Sequence, residues 1–79
     1  MMWKGHKMIY KKDKTYLITY RKPLVVRTKA TDDGVEVTTL PPGHGIHCIS
    51  YTYDDNNDIW LRISLGWIRA TKGDEVYIQ

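Results

Sequence analysis

The chain has 79 residues, of which 42% are hydrophobic and 27% are charged, so it has the composition and length of one small globular domain. Its single cysteine, Cys48, rules out an internal disulfide and therefore a disulfide-stapled secreted protein. The sequence has no signal-peptide pattern, and no apolar run approaches the roughly 18 residues of a membrane span. We therefore expect a cytoplasmic protein.

Charge is distributed unevenly along the chain. Residues 1–30 hold nine Lys and Arg against one acid, whereas residues 31–79 hold three against eight acids. The first part therefore carries +8 and the second −5, which predicts two electrostatic faces or a basic arm on an acidic body. We assign residues 1–14 to a basic N-terminal arm or edge strand, and residues 15–79 to the folded domain.

The first half of the domain has three predicted strands. Residues 15–20 and 24–28 are rich in β-branched and aromatic residues, and Pro23 separates them because it cannot donate a ladder hydrogen bond. Residues 29–34 form a polar loop that ends in an Asp-Gly turn signal. Residues 35–40 alternate in polarity and predict a half-buried strand.

The second half continues this pattern. Residues 46–53 are the longest β-run and predict a central strand, and the Asp/Asn-rich residues 54–58 predict a sharp turn. After the next hairpin, residues 69–74 predict a loop and residues 75–78 a final short strand. No segment has the apolar spacing of a long helix, so short strands joined by frequent turns predict an all-β fold, a small barrel or sandwich.

The hairpin formed by residues 59–68 contains the most distinctive stretch. Alternation places Leu61 and Ile63 on one face and Trp60 and Arg62 on the other. A small β-domain would bury the Leu61 face, which predicts that Trp60 lies near the surface. An exposed tryptophan of this kind indicates a working face.

Metal binding and catalysis have little support. His44, His47 and Cys48 are metal-ligand types, but neighbouring strand residues point to opposite faces, and a structural zinc needs four ligands. The same divergence argues against a Cys–His dyad, and Asp32 and Asp33 lack the further ligands of a calcium loop. The other acids also lie in turn-like sequence. We therefore predict no metal, no cofactor and no enzymatic activity.

The aromatic side chains give a stronger signal, because five large rings are too many for one core of this size. As a group they predict an aromatic groove that holds an extended or proline-rich peptide or a sugar-peptide chain. The predicted ligand-binding residues are Trp60, Tyr53, Trp67, Arg62, Tyr51 and Tyr20.

Five short stretches, in this order, carry a family resemblance. They are residues 24–27 (Leu-Val-Val-Arg, with Val25 where an Asn is usual), residues 35–43 with their glycine turn, the alternating Ile46 and Cys48, residues 60–63 (Trp-Leu-Arg-Ile) and residues 66–68 (Gly-Trp-Ile). From about Tyr16 to Ile78 the chain resembles the bacterial SH3 (SH3b) domains.

The resemblance implies an SH3-like barrel of five to seven strands without catalysis. Members of that family bind cell-wall peptides or other proteins, often as modules of wall hydrolases, including phage lysins. By position, Trp60 looks like the family's exposed groove tryptophan, with Tyr53 and Trp67 as neighbours. The chain departs from the family in lacking an attached enzyme or signal peptide and in its basic residues 1–14, which favours an intracellular partner.

Three functions follow as hypotheses. The first is a small bacterial or phage module that binds a protein or peptide partner through the aromatic groove, and the second is a binder of cell-wall peptide. The third is a nucleic-acid binder. Its candidate phosphate contacts are Lys4, Lys7, Lys11, Lys12 and Lys14. We expect a monomer or a weak homodimer, paired through an exposed edge at residues 16–20 or 75–78.

Overall fold

A computed structural model describes residues 8–79, and within this range the chain is all-β, with antiparallel strands and no helix. No membrane-spanning helix is therefore found among these residues. The strands are β1 (Lys14–Leu17), β2 (Leu24–Arg27), β3 (Glu36–Leu40), β4 (Gly45–Cys48), β5 (Ser50–Tyr53), β6 (Ile59–Ile63), β7 (Gly66–Arg69), β8 (Thr71–Lys72) and β9 (Glu75–Val76).

Five of these strands form the main sheet, in the order β3-β2-β7-β6-β5. β1 and β4 form a second pair, and β8 and β9 form a third. The strands predicted at residues 24–28, 35–40 and 59–68 are confirmed with small changes at their ends.

The predicted central strand at residues 46–53 is wrong, because the run is divided at Ile49. β4 pairs with β1, whereas β5 pairs with β6 and forms an edge of the main sheet. The backbone N–H of Ile49 still donates to the carbonyl oxygen of Arg62 at 2.9 Å. The chain therefore passes from one sheet to the other at this residue, where the apolar positions change from even-numbered to odd-numbered residues.

The C-terminal segment returns to β1 and pairs with the residues that follow it. Ile18 forms an antiparallel bridge with Ile78, and Leu17 and Gln79 exchange two backbone hydrogen bonds of 2.9 Å. The two edges predicted to be available for a second copy are therefore paired with each other.

Side chains between the sheets form one hydrophobic core, and the predicted inward face of β6 is confirmed, with Leu61 fully buried and Ile63 nearly so. Tyr10 joins this core from the N-terminal segment. Its hydroxyl donates to the carbonyl oxygen of Ile78 at 2.6 Å, and its ring packs edge-on against Tyr16. Residues 8–13 therefore dock through Tyr10 without forming a strand.

The β6–β7 hairpin closes against β2 at a glycine. Gly66 has a φ of +148°, and a Cβ added there would lie 2.5 Å from the carbonyl oxygen of Arg27. This approach leaves no room for a larger residue. The hairpin register that starts at Gly66 places Trp60 directly opposite Arg69.

Candidate functional site

Trp60 is buried, so the prediction that it lies near the surface is wrong. Only 1% of its surface is exposed, although it shares the outward face of β6 with the exposed Arg62. The guanidinium of Arg69 stacks over the indole ring, 4.6 Å from its centroid. The indole N–H donates to Oδ2 of Asp54 at 3.0 Å. Trp60 is therefore buried on the outer side of the sheet, where polar side chains, Arg69 and Asp54, cover it.

Arg69 is the centre of this polar cover. Its Nη1 donates to Asp58 Oδ2 at 3.1 Å and lies 3.7 Å from Asp54 Oδ2. Both oxygens of Asp32 accept from Nη2 at 3.1 Å. The side chains of Asp54 and Asp58 are 14% and 10% exposed, whereas that of Asp32 is 67% exposed. Arg69 thus has two sheltered partners and one partner in solvent.

The predicted turn at residues 54–58 is confirmed, and Asp54 organises it. Its Oδ1 accepts the backbone N–H groups of Asn56 and Asp58 at 2.8 and 3.0 Å. Burial alone would raise the pKa of Asp54, but the hydrogen bonds from Trp60, Asp58 and Asn56 and the charge of Arg69 lower it below its ordinary value. Asp54 is therefore held ionised.

The register of the main sheet divides the predicted aromatic set between two faces. Tyr51 and Tyr53 lie opposite Leu61 and Ile59, so they share the inward-pointing side of the sheet, whereas Trp60 is on the other side. The two tyrosines are nevertheless 42% and 56% exposed, since β5 is an edge strand. Their rings meet edge to face, with centroids 6.4 Å apart.

The remaining predicted residues lie elsewhere. Trp67 is partly buried on the outer face, and the exposed Arg62 lies directly opposite it, with its guanidinium 5.8 Å from the ring. Tyr20 stacks on the ring of Tyr77 at 4.1 Å. The structure therefore does not bring the six predicted residues into one groove.

An open groove of about 500 Å³ lies between the loop after β2 and the turn after β5. We call it the acidic groove. It is lined by residues 30–33, residues 52–56 and Arg69. The lining contains four carboxylates and one guanidinium, and it includes Tyr53, whose side chain is exposed. Because Arg69 is already bound to three aspartates, the groove favours a cation.

A smaller groove of about 180 Å³ lies on the other side of the Asp32–Arg69 ion pair. We call it the apolar groove. Five of its eight lining residues are apolar or aromatic, namely Pro23, Leu24, Val25, Trp60 and Tyr77, and the other three are Arg27, Asp32 and Arg69. Asp32 and Arg69 line both grooves, so the two grooves adjoin at this ion pair.

Residues that sequence analysis weighed for other chemistry are dispersed. No group of three or more His, Cys, Asp or Glu among residues 8–79 is placed to hold a metal ion. His47 is exposed and Cys48 is fully buried, which confirms their divergence, and burial followed by the charge of Asp13 raises the pKa of the Cys48 thiol. Lys11, Lys12 and Lys14 are exposed. Lys4 and Lys7 lie outside the described residues.

Comparison of the chain with protein-family models, curated proteins and solved structures finds no match.

The cluster of Arg69 and its partners is not among the predicted site residues, because Asp32, Asp54 and Asp58 lie in turn-like sequence. Asp32 and Arg69 are 37 positions apart, so no local pattern connects them. The hairpin register could have found part of the cluster, because a two-residue turn before Gly66 places Arg69 opposite Trp60.

Proposed function

We propose that this chain is a small non-catalytic binding domain that holds an extended peptide segment of a protein partner in the acidic groove. The observation that carries the proposal is the combination of an exposed ring, Tyr53, with an open groove of net negative charge. The proposal includes the SH3-like barrel that the resemblance to bacterial SH3 domains implies.

The lining of the groove indicates the chemistry of the peptide. Asp33 and Asp55 line it and form no ion pair among the described residues, so each can meet a Lys or Arg of the ligand. Tyr53 offers a flat face to an apolar or guanidinium group. We therefore expect a segment that carries basic side chains.

The position of Tyr53 on the edge strand β5 favours a role in peptide binding. Tyr53 is the last residue of β5 and lines the groove, and the chain turns at Asp54 directly after it, so we expect its exposed ring to reach the mouth of the groove from the edge of the sheet. The turn itself is fixed by the hydrogen bonds of the Asp54 carboxylate. A rigid wall of this kind reduces the entropy lost on binding.

The test uses an acetylated eight-residue peptide with two arginines, and its affinity is measured by calorimetry. Tyr53→Ala should weaken binding at least fivefold, because aromatic anchors in grooves are worth about 1 kcal/mol or more. Tyr51→Ala is the matched control, since Tyr51 is exposed on the same strand but does not line the groove. The control should change the affinity less than about twofold.

Two results would count against the proposal. One is equal loss of affinity in both tyrosine variants, which would point to a general effect on β5. The other is unchanged binding when glutamates replace the arginines of the peptide, because a groove lined by four carboxylates should reject that ligand.

A further inference from the structure

We infer that the Asp32–Arg69 ion pair is a latch between the acidic and apolar grooves, and that its opening joins them into one longer peptide site. The inference rests on the proposed function for its occupant. It adds the length of the peptide and the order of its residues, and it identifies Asp32 as the residue that limits access.

The loop at residues 28–35 is held mainly at its base. Its base is fixed by a hydrogen bond from Arg27 Nη1 to the Gly34 carbonyl oxygen at 3.0 Å. The backbone N–H of Thr28 also donates to the carbonyl oxygen of Val35, whose own N–H donates to Thr28 Oγ1. The hydrogen bonds of its tip are local, from Thr31 to Lys29 and from Gly34 to Thr31. Within residues 8–79, the Asp32–Arg69 pair is the single polar contact between this tip and another part of the fold.

Asp32, and not Arg69, is the residue of the ion pair that moves. Arg69 is held on the face of Trp60 by Asp58 and Asp54, whose side chains are sheltered from solvent. Asp32 is 67% exposed and has no other partner in the described part of the chain. Exposed ion pairs are weak and screened by salt, so Asp32 leaves while Arg69 stays.

Opening of the Asp32–Arg69 ion pair makes a longer binding site available. Asp32 and Arg69 line both grooves, so withdrawal of the Asp32 side chain connects them. One end of the joined site is acidic and contains Tyr53, and the other is apolar and contains Pro23 and Tyr77. The occupant that matches this polarity is an extended segment with basic residues at one end and apolar residues at the other.

Length follows from the size of the domain. An extended chain rises about 3.3 Å per residue, so eight residues span about 26 Å and four span about 13 Å. The shorter dimensions of the domain are 25 and 24 Å. An eight-residue peptide can therefore cross the whole width of the domain and reach both grooves, whereas a four-residue peptide spans about half of that width.

The experiment compares D32A with D33A. Both substitutions remove one carboxylate from the acidic groove, but only the first breaks the ion pair. Affinity is measured for a four-residue peptide with two arginines and for an eight-residue peptide that adds apolar residues, the latter in both chain directions. Amide hydrogen exchange of residues 29–33 is measured without peptide.

We expect D32A to bind the eight-residue peptide about fivefold more tightly than D33A does, the ratio that corresponds to about 1 kcal/mol for an exposed ion pair. The four-residue peptide should bind the two variants alike. Exchange of the loop amides should be about fivefold faster in D32A, for the same reason.

The outcomes separate the two proposals. Equal exchange and equal long-peptide affinity in D32A and D33A would overturn the latch, even if both peptides bind. Failure of the wild type and of both variants to bind either peptide would overturn the proposed function, and the peptide-gating role of the latch with it. A gain in long-peptide affinity that is specific to D32A supports both.

Discussion

Replacing Arg69 by methionine is expected to destabilise the domain strongly. Methionine keeps most of the apolar stem but removes the guanidinium that faces Asp54 and Asp58. Those two carboxylates are mostly shielded from water, and removing one partner of such a buried pair costs about 3–5 kcal/mol. The exposed Asp32 adds little to this value, because water already screens it.

This loss is a large part of the total. Small domains unfold with about 0.05–0.15 kcal/mol per residue, or roughly 4–12 kcal/mol for a chain of this length. Urea unfolding followed by tryptophan fluorescence measures the change. Arg62→Met is the matched control, since Arg62 is exposed and lies over a ring, Trp67, without an acidic partner in the described structure. We expect the control to cost less than about 0.5 kcal/mol.

A second comparison separates charge from packing. In R69M the carboxylates of Asp54 and Asp58 have lost the guanidinium that neutralised them. The double variant R69M/D58N removes one of these two charges, so it should recover part of the stability that R69M loses. Refutation would come from an R69M protein that unfolds within 1 kcal/mol of the wild type. That result would mean that Asp54 and Asp58 are well solvated and that Arg69 does not hold Trp60 in place.

Three further predictions concern stability. Gly66→Ala should lower the free energy of unfolding by about 2–4 kcal/mol, because the added Cβ would meet the Arg27 carbonyl. Gly73→Ala, also at positive φ but in open space, should lower it by about 1 kcal/mol, and the midpoints of urea unfolding test both values. Tyr10→Phe leaves the Ile78 carbonyl without its hydroxyl donor and should cost about 1 kcal/mol in thermal unfolding, with an unchanged spectrum before melting. Folding lowers the pKa of Asp54, so its ionised form stabilises the folded state. This stabilisation is complete well above the ordinary pKa of 3.8 and is lost as the pH falls through the lower folded value. The free energy of unfolding of D54N should therefore fall less steeply with decreasing pH than that of the wild type.

Local alternation was enough to predict most strands and the inward face of the central hairpin. Leu61 and Ile63 are buried and His47 and Cys48 diverge because side chains in a strand must alternate. The aspartate turn was equally predictable, since the Asp54 side chain caps its own backbone.

The burial of Trp60 could not be predicted in the same way. Alternation assigns a side chain to a face, but it does not say what covers that face. Here the cover is Arg69 from the neighbouring strand, which Asp54 and Asp58 hold over the ring. The exposed aromatic surface consequently lies at Tyr51 and Tyr53 on the edge strand.

The break at Ile49 was not predicted, although the sequence marks it. The apolar positions of residues 46–53 change phase between Cys48 and Ile49, and the chain changes sheet at the same point. Sheet membership depends on partners that are distant in the chain, β1 for one half and β6 for the other. A periodicity of two is the same in both sheets.

The most direct test of the peptide-binding account is an NMR titration of the isotopically labelled protein with the eight-residue basic peptide, run beside a titration with a single-stranded oligonucleotide. The account predicts that the peptide shifts the amide signals of residues 30–33 and 52–56 and that the oligonucleotide leaves Lys11, Lys12 and Lys14 unchanged. An unshifted groove with the peptide, together with shifts at those lysines with the oligonucleotide, would contradict the account and favour nucleic-acid binding.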